Sequence, residues 1–170
     1  PVEIGNNRAA DLPIVGDLGP VLEKMNTVLA ELAPSHKPRR AADRQAWKGK
    51  IASWASEHPL TPSVSDTEIK PQHLVREIDR LSGGDAIVCS DVGQHQMWGA
   101  QFLRFNRPRL WLSSGGLGSM GFGLPSAIGA QIANPGRLVF ALVGDGGFQM
   151  SIPELATVAN NRLPIKIVVM

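Results

Sequence analysis

Cysteine is nearly absent: Cys89 is alone in 170 residues, which excludes a disulfide framework and favours a reducing compartment. It falls in the strand-like run 86–89, where a buried, inert thiol is expected rather than a nucleophile. Charge of one sign is also lacking, since 17 Lys and Arg against 15 Asp and Glu leave a formal net charge of +2. That balance is too small to suggest nucleic acid as a partner, and the basic residues do not cluster with aromatics. The densest basic run, Lys37-Pro38-Arg39-Arg40, sits in a proline-containing break and reads as a solvated linker. No apolar run is long enough to span a bilayer and no signal or transit peptide is visible, so no membrane partner is expected. Internal repeats and low-complexity segments are missing too. The chain opens on Pro1 and stops at Met170, in or just after a strand-like run, and is expected to be a fragment.

What is present is a globular composition, 43% hydrophobic and 19% charged, with 18 Gly and 13 Pro, a load suited to a loop-rich α/β protein. The organising stretch is Gly144-Asp145-Gly146-Gly147, which follows the apolar run 138–143. That run is too short and too apolar for a surface helix and reads as a strand buried on both faces. A Gly-Asp-Gly turn at its end puts one carboxylate at the carboxyl edge of a sheet, where open α/β sheets bind ligands. One carboxylate among glycines suits a hard cation, Mg²⁺ or Ca²⁺, holding a phosphate against the backbone, although Gly and Asp are also ordinary turn residues. Ser151-Ile152-Pro153-Glu154 has the form of a capping box, with Pro153 in the first turn, and predicts the next helix there. Leu163-Pro164 ends that helix, and 165–169 reads as a strand.

Earlier in the chain, 13–15 predicts a short strand ending at Gly16-Asp17. Pro20 opens a helix carrying Leu22, Met25, Leu29 and Leu32 at three- and four-residue steps. Residues 34–40 predict a break, and a second helix over 41–57 places Trp47, Ile51 and Trp54 on one face for packing. Residues 60–66 read as loop. Leu74, Val75, Ile78 and Leu81 then make an amphipathic helix stopped by Gly83-Gly84, followed by a strand over 86–90, a helix over 94–105 and a short strand over 110–112. A glycine-rich loop, 115–121, leads into a Gly- and Ala-rich helix over 122–133. Strand and helix alternate throughout, so the expected fold class is α/β: a mainly parallel sheet with helices on both faces. In such a sheet 93–96, 115–121 and 144–147 meet at one edge, where glycine-freed N–H groups and helix N-termini make an anion site. His95 could act there as a metal ligand or base, but nothing near it has ligand spacing. A hydrogen bond to phosphate or a structural role fits it better.

Three stretches carry a family likeness: Val92-Gly93-Gln94-His95-Gln96-Met97-Trp98, Arg107-Pro108-Arg109-Leu110-Trp111-Leu112 and Gly115-Gly116-Leu117-Gly118-Ser119-Met120-Gly121-Phe122-Gly123-Leu124-Pro125. With the Gly144–Gly147 turn, they resemble the thiamine-diphosphate-dependent enzymes, and within them the acetolactate synthase (acetohydroxyacid synthase) family. Residues 1–32, with Glu3-Ile4-Gly5 and Gly16-Asp17, are similar to the end of that family's middle, FAD-associated domain. The family's cofactor motif is Gly-Asp-Gly, about two dozen residues, then Asn-Asn. Residues 147–170 fill 24 positions, so the pair is expected directly after Met170, and Asn160-Asn161 is a decoy.

The resemblance implies a truncated thiamine-diphosphate-binding fold. It divides the chain into 1–33 as the tail of the middle domain, 34–69 as linker and connecting helix, and 70–170 as the first part of the cofactor domain. It implies that Val92, Gly93, Gln94 and His95 line the diphosphate end of the cofactor. It assigns catalytic roles to the Gly118 carbonyl, which accepts the 4′-amino group, and to Met120, which wedges beneath the bend between the rings. Asp145 is implied as a Mg²⁺ ligand, with Gly146 and Gly147 contacting diphosphate, and Gly16 and Asp17 as contacts of FAD. The implied reaction decarboxylates pyruvate and passes the two-carbon unit to a second 2-ketoacid, in branched-chain amino-acid biosynthesis. A homodimer or higher oligomer with the site at the subunit interface, a regulatory subunit, and a bacterial cytoplasmic or organellar location complete the picture. The activating glutamate is expected outside these residues, so the fragment alone is expected to be inactive. A related carboligase or oxidase (glyoxylate carboligase, pyruvate oxidase) is a near rival, though Met120 and the 93–96 stretch resemble glyoxylate carboligase less. A non-catalytic phosphate-binding module of the same fold is the rival from another class.

Overall fold

The structure is a computed structural model that describes residues 2–62 and 64–170, with backbone alone over 35–40. It divides into two compact units, Pro1–Pro59 and Leu60–Met170.

The first unit is a loop followed by one 40-residue helix, α1 (Leu18–Glu57). Residues 13–15 are irregular and unpaired, so the expected short strand does not form. A three-residue apolar run without a neighbouring strand has nothing to satisfy its backbone. The break expected at 34–40 is also replaced by helix. Pro34 and Pro38 remove two helical N–H donors, but Leu-, Ala- and Glu-rich turns precede them and Ala-, Arg- and Lys-rich turns follow, and helix propagation is cooperative. The basic run Lys37–Arg40 has its side chains outside the described residues. Leu22, Met25, Leu29 and Leu32 are all exposed. Trp47 and Trp54 pack edge-to-face on each other, centroids 5.7 Å apart, with the Lys50 ammonium 5.4 Å from the Trp54 ring.

The second unit is α/β. Helix α2 (Pro71–Ser82) starts on its proline and stops at Gly83, whose left-handed φ of 59° lets its N–H reach the Asp79 carbonyl. Val75 and Ile78 are buried, whereas Leu81, expected on the same stripe, stays exposed in the last turn. Asp79 is buried instead: its carboxylate accepts the backbone N–H of Arg104 at 2.8 Å and the Arg104 Nε–H at 2.8 Å. Those bonds take the chain out of helix, so α3 (Gln94–Phe102) ends three residues before the expected 105.

Strands β1 (Ile87–Ser90), β2 (Trp111–Leu112), β3 (Val139–Val143) and β4 (Lys166–Val169) form one parallel sheet in the order β2-β1-β3-β4. Helix α4 (Gly123–Ala133) covers one face, where Ile87, Cys89, Ala127, Ala130, Val139, Ala141 and Val143 form the core. On the other face Leu142 and Trp111 meet Gly99 of α3. The period of two along β3 therefore sends Ala141 and Val143 one way and Leu142 the other. Burial holds the Cys89 thiol up at about 11, as an inert thiol requires. Among the described residues no helix is long and apolar enough to cross a membrane.

A Cβ on Gly99 would lie 2.7 Å from Trp111 Cη2 and 3.1 Å from Leu142 Cδ2. Gly99→Ala in the full-length protein is expected to destabilise it by about 1–3 kcal/mol through overpacking, against the usual helical gain from Ala. Urea denaturation checks this, and a more stable variant would show that α3 stands farther from the sheet.

Candidate active site

The chain leaves β1 for β2 on one side and returns to β3 on the other, so the sheet has its switch point between the carboxyl ends of β1 and β3. Loops that leave a sheet there part in opposite directions and open a crevice. The two loops are 91–94 and 144–147, and the glycine-rich loop after β2 folds over to join them.

Asp91 joins them, and it was not among the residues singled out from the sequence. It is fully buried. Its Oδ1 accepts N–H groups from Val92 at 2.8 Å and Gly121 at 3.0 Å, and its Oδ2 accepts from Gly123 at 2.9 Å. Close approach demands glycine on two sides: a Cβ at 147 would lie 2.7 Å from Asp91 Oδ1, and one at 123 would lie 2.8 Å from Val143 Cγ1. The signal available in the sequence was an aspartate directly after a buried strand, opposite two glycine loops whose N–H groups need an acceptor.

His95 lies in the first turn of α3, buried beneath two glycines. A Cβ on Gly93 would meet its Cε1 at 2.9 Å, and one on Gly144 would meet it at 3.1 Å. Its Nε2 is buried and has no hydrogen-bond partner among the described residues. Burial pushes the imidazole below its ordinary value of 6.5, opposed by the Asp91 charge and carbonyl, so folding favours the neutral ring. Val92 is half-buried, and Gly93 and Gln94 are exposed at the same edge.

Helix α5 (Asp145–Ser151) starts at Asp145, with Gly144 as its N-cap. This corrects the capping box expected at 151–154. Ser151 ends α5 and donates its hydroxyl to the Gly147 carbonyl at 3.1 Å, while Ile152–Glu154 is a 3₁₀ turn leading into α6 (Leu155–Asn160). The helix nucleates straight from the strand because a carboxylate at its first position complements the N-terminal dipole. Asp145 is exposed, and its Oδ1 accepts the Gly146 N–H at 2.8 Å. Met120, half-exposed, brings its Cε to 3.4 Å from where a Gly146 Cβ would stand. Gly118 closes a 3₁₀ turn (Gly115–Leu117) with a left-handed φ of 61°, and the space around Gly115, Gly116 and Gly118 is open. Asn161 caps α6, its amide donating to the Thr157 carbonyl at 2.9 Å.

The structure thus gathers Val92, Gly93, Gln94, His95, Met120, Asp145, Gly146 and Gly147 at one sheet edge, with Gly118 two residues before Met120. Gly16 and Asp17 belong to the other unit, where Gly16 packs near Val21 and Asp17 is the N-cap of α1. Among the described residues no group of three or more His, Cys, Asp or Glu could hold a metal. A cation here must take most of its ligands from elsewhere.

A neutral His95 binds fewer protons in the folded chain than in the unfolded chain. Stability is therefore complete above pH ~6.5 and falls as pH drops below it, by at most about 1.4 kcal/mol per unit. Thermal melts of the full-length protein at pH 7.5 and 5.5 are expected to show a larger drop for wild type than for His95→Gln. Equal drops would mean that the ring titrates freely.

Residues 91–170 match the family model for the thiamine pyrophosphate enzyme, C-terminal TPP binding domain. Over 170 residues the chain is 42% identical to acetolactate synthase 2, chloroplastic, of Zea mays, covering 100% of this chain and 26% of the relative. It is 47% identical over 169 residues to the acetolactate synthase large subunit of Parasynechococcus marenigrum, covering 99% of this chain and 26% of the relative. With acetolactate synthase of Mycobacterium bovis it shares 44% over 168 residues, 98% of this chain and 26% of the relative. The chain spans about a quarter of the length of these relatives. With its parallel α/β sheet, its crevice of glycine loops and this likeness along its whole length, the chain is similar to the thiamine-diphosphate-dependent acetolactate synthases.

Proposed function

We propose that this chain forms the diphosphate-binding half of an acetolactate synthase active site, in a protein that converts pyruvate and a second 2-ketoacid into an acetohydroxyacid for branched-chain amino-acid synthesis. The observation that carries this reading is the convergence of three glycine loops on Asp91 at the switch point of a parallel sheet. Fit to the cofactor rests on the buried Nε2 of His95, which has no partner among the described residues, and on the open surface at Gly115, Gly116 and Gly118. When bound, thiamine diphosphate supplies the carbanion chemistry that decarboxylates the ketoacid.

The chain's own residues bind and orient. Val92, Gly93, Gln94 and His95 hold the diphosphate end, the Gly118 carbonyl accepts from the 4′-amino group, and Met120 supports the bend between the rings. Asp145 is the proposed Mg²⁺ ligand, with Gly146 and Gly147 offering N–H groups to phosphate. Its exposure at the mouth of the crevice leaves it free to face a hydrated cation, and Mg²⁺ keeps several waters. Gly16 and Asp17 are proposed to contact FAD, with 1–33 as the end of a middle domain, 34–69 as a connecting segment and 70–170 as the cofactor domain. Assembly as a homodimer or higher oligomer would set a partner subunit over the exposed Met120, and a regulatory subunit and a bacterial cytoplasmic or organellar setting complete the proposal, the relatives being named chloroplastic or large subunit.

In the full-length protein Asp145→Ala is expected to lower Mg²⁺-dependent affinity for thiamine diphosphate by roughly 100-fold or more, because a carboxylate facing a diphosphate repels it without the cation. Unchanged affinity in a titration of the apoenzyme would remove the metal assignment. Met120→Ala is expected to lower turnover more than cofactor affinity, since support of the bend acts on catalysis more than on docking. Equal losses, measured as kcat against cofactor Kd, would count against that role.

A further inference from the structure

Among the described residues Asp79 and Asp91 are the buried carboxylates, and their partners differ. Asp79 ties one helix end to another through Arg104. Asp91 holds backbone of two loops and is pressed against a third. Val92 N–H comes from the loop after β1, Gly121 N–H from the glycine-rich loop, Gly123 N–H from the first residue of α4 that the loop leads into, and Gly147 stands against the same carboxylate. Gly121 has a φ of 84°, a conformation kept by a bond that Asp91 supplies. Being fully buried, Asp91 is placed to act through these loops rather than on a ligand.

We propose that Asp91 is a positioning residue whose carboxylate sets the separation between the glycine-rich loop and the Gly144–Gly147 turn. It thereby sets the fit of a ligand with a ring at one end and a diphosphate at the other. This rests on the thiamine diphosphate reading. A ligand confined to the diphosphate end needs the 92–95 loop and the Gly144–Gly147 turn, whereas the whole cofactor also needs the glycine-rich loop at a fixed spacing from them. A carboxylate suits the task because it accepts at both oxygens. An amide of the same shape must turn an NH₂ toward a backbone N–H, with the least loss opposite Gly123, which bonds alone to Oδ2.

Asp91→Asn in the full-length apoenzyme is therefore expected to weaken thiamine diphosphate binding by about tenfold or more, as for one misplaced charge-assisted bond, while binding of inorganic pyrophosphate with Mg²⁺ changes less than about threefold. A lower Tm with both affinities unchanged would show a merely structural role and overturn the proposal, as would equal weakening of both. In the wild type, hydrogen exchange gives a second test that needs no variant. Thiamine diphosphate with Mg²⁺ is expected to protect the Gly121 and Gly123 amides together with those of 144–147, whereas pyrophosphate with Mg²⁺ protects those of 144–147 alone. Equal protection of Gly121 and Gly123 by the two ligands would overturn the proposal. A wild type that binds neither thiamine diphosphate nor pyrophosphate would instead sink the functional reading, and this proposal with it.

Discussion

The crevice depends on one buried negative charge. Burying a carboxylate costs several kcal/mol unless its lone pairs are met, and Asp91 meets this with three backbone N–H groups from two loops. Charge-assisted bonds of this kind contribute about 1.5–3 kcal/mol each, enough to make the arrangement stable and its partial loss expensive. The donors belong to loops that otherwise have little side-chain bulk with which to pack. A central acceptor replaces the hydrophobic contacts that glycines cannot make.

The same economy explains where the glycines fall. Gly123 and Gly147 allow backbone to approach Asp91, while Gly93 and Gly144 make room for the His95 ring. Beneath them the centre of the sheet is well covered, with β1 buried throughout and β3 nearly so. At the opposite, amino edge Asp85 gathers Arg107 and Arg137, and the Arg107 guanidinium holds its carboxyl below the usual range. That cluster is exposed and its contribution is screened. Order is thus concentrated in the strands and in Asp91, and the open positions at Gly115, Gly116 and Gly118 are left for what the crevice binds.

The first unit follows a different logic. Its helix persists through two proline positions and shows its apolar stripe to solvent, with local contacts in the Trp47–Trp54 pair and the Lys50 ammonium over Trp54. Propensity and local pairing suffice for the secondary structure there. Among its described residues none is buried.

Much of this was legible in the residue order because local rules decide it. Buried strands announce themselves as short apolar runs (139–143), α2 by its amphipathic period and its terminal glycine, and the ligand edge by glycine loops following strands, which a parallel sheet must bring together. Family likeness in 92–98 and 115–125 added the chemistry that spacing alone left open between a metal turn and an ordinary one. Where local signals competed, the reading failed. Pro34 and Pro38 carry a break signal that the helix formers around them outweigh, and Ser151-x-x-Glu154 imitates a cap that the Asp145 carboxylate makes unnecessary. Tertiary structure alone decided the surroundings of Asp79, Asp91 and the buried His95 Nε2. Each is defined by partners 25 to 32 residues away or by burial beneath another loop. An aspartate written after a strand looks the same whether it faces water or three N–H groups, and only the folded sheet settles which.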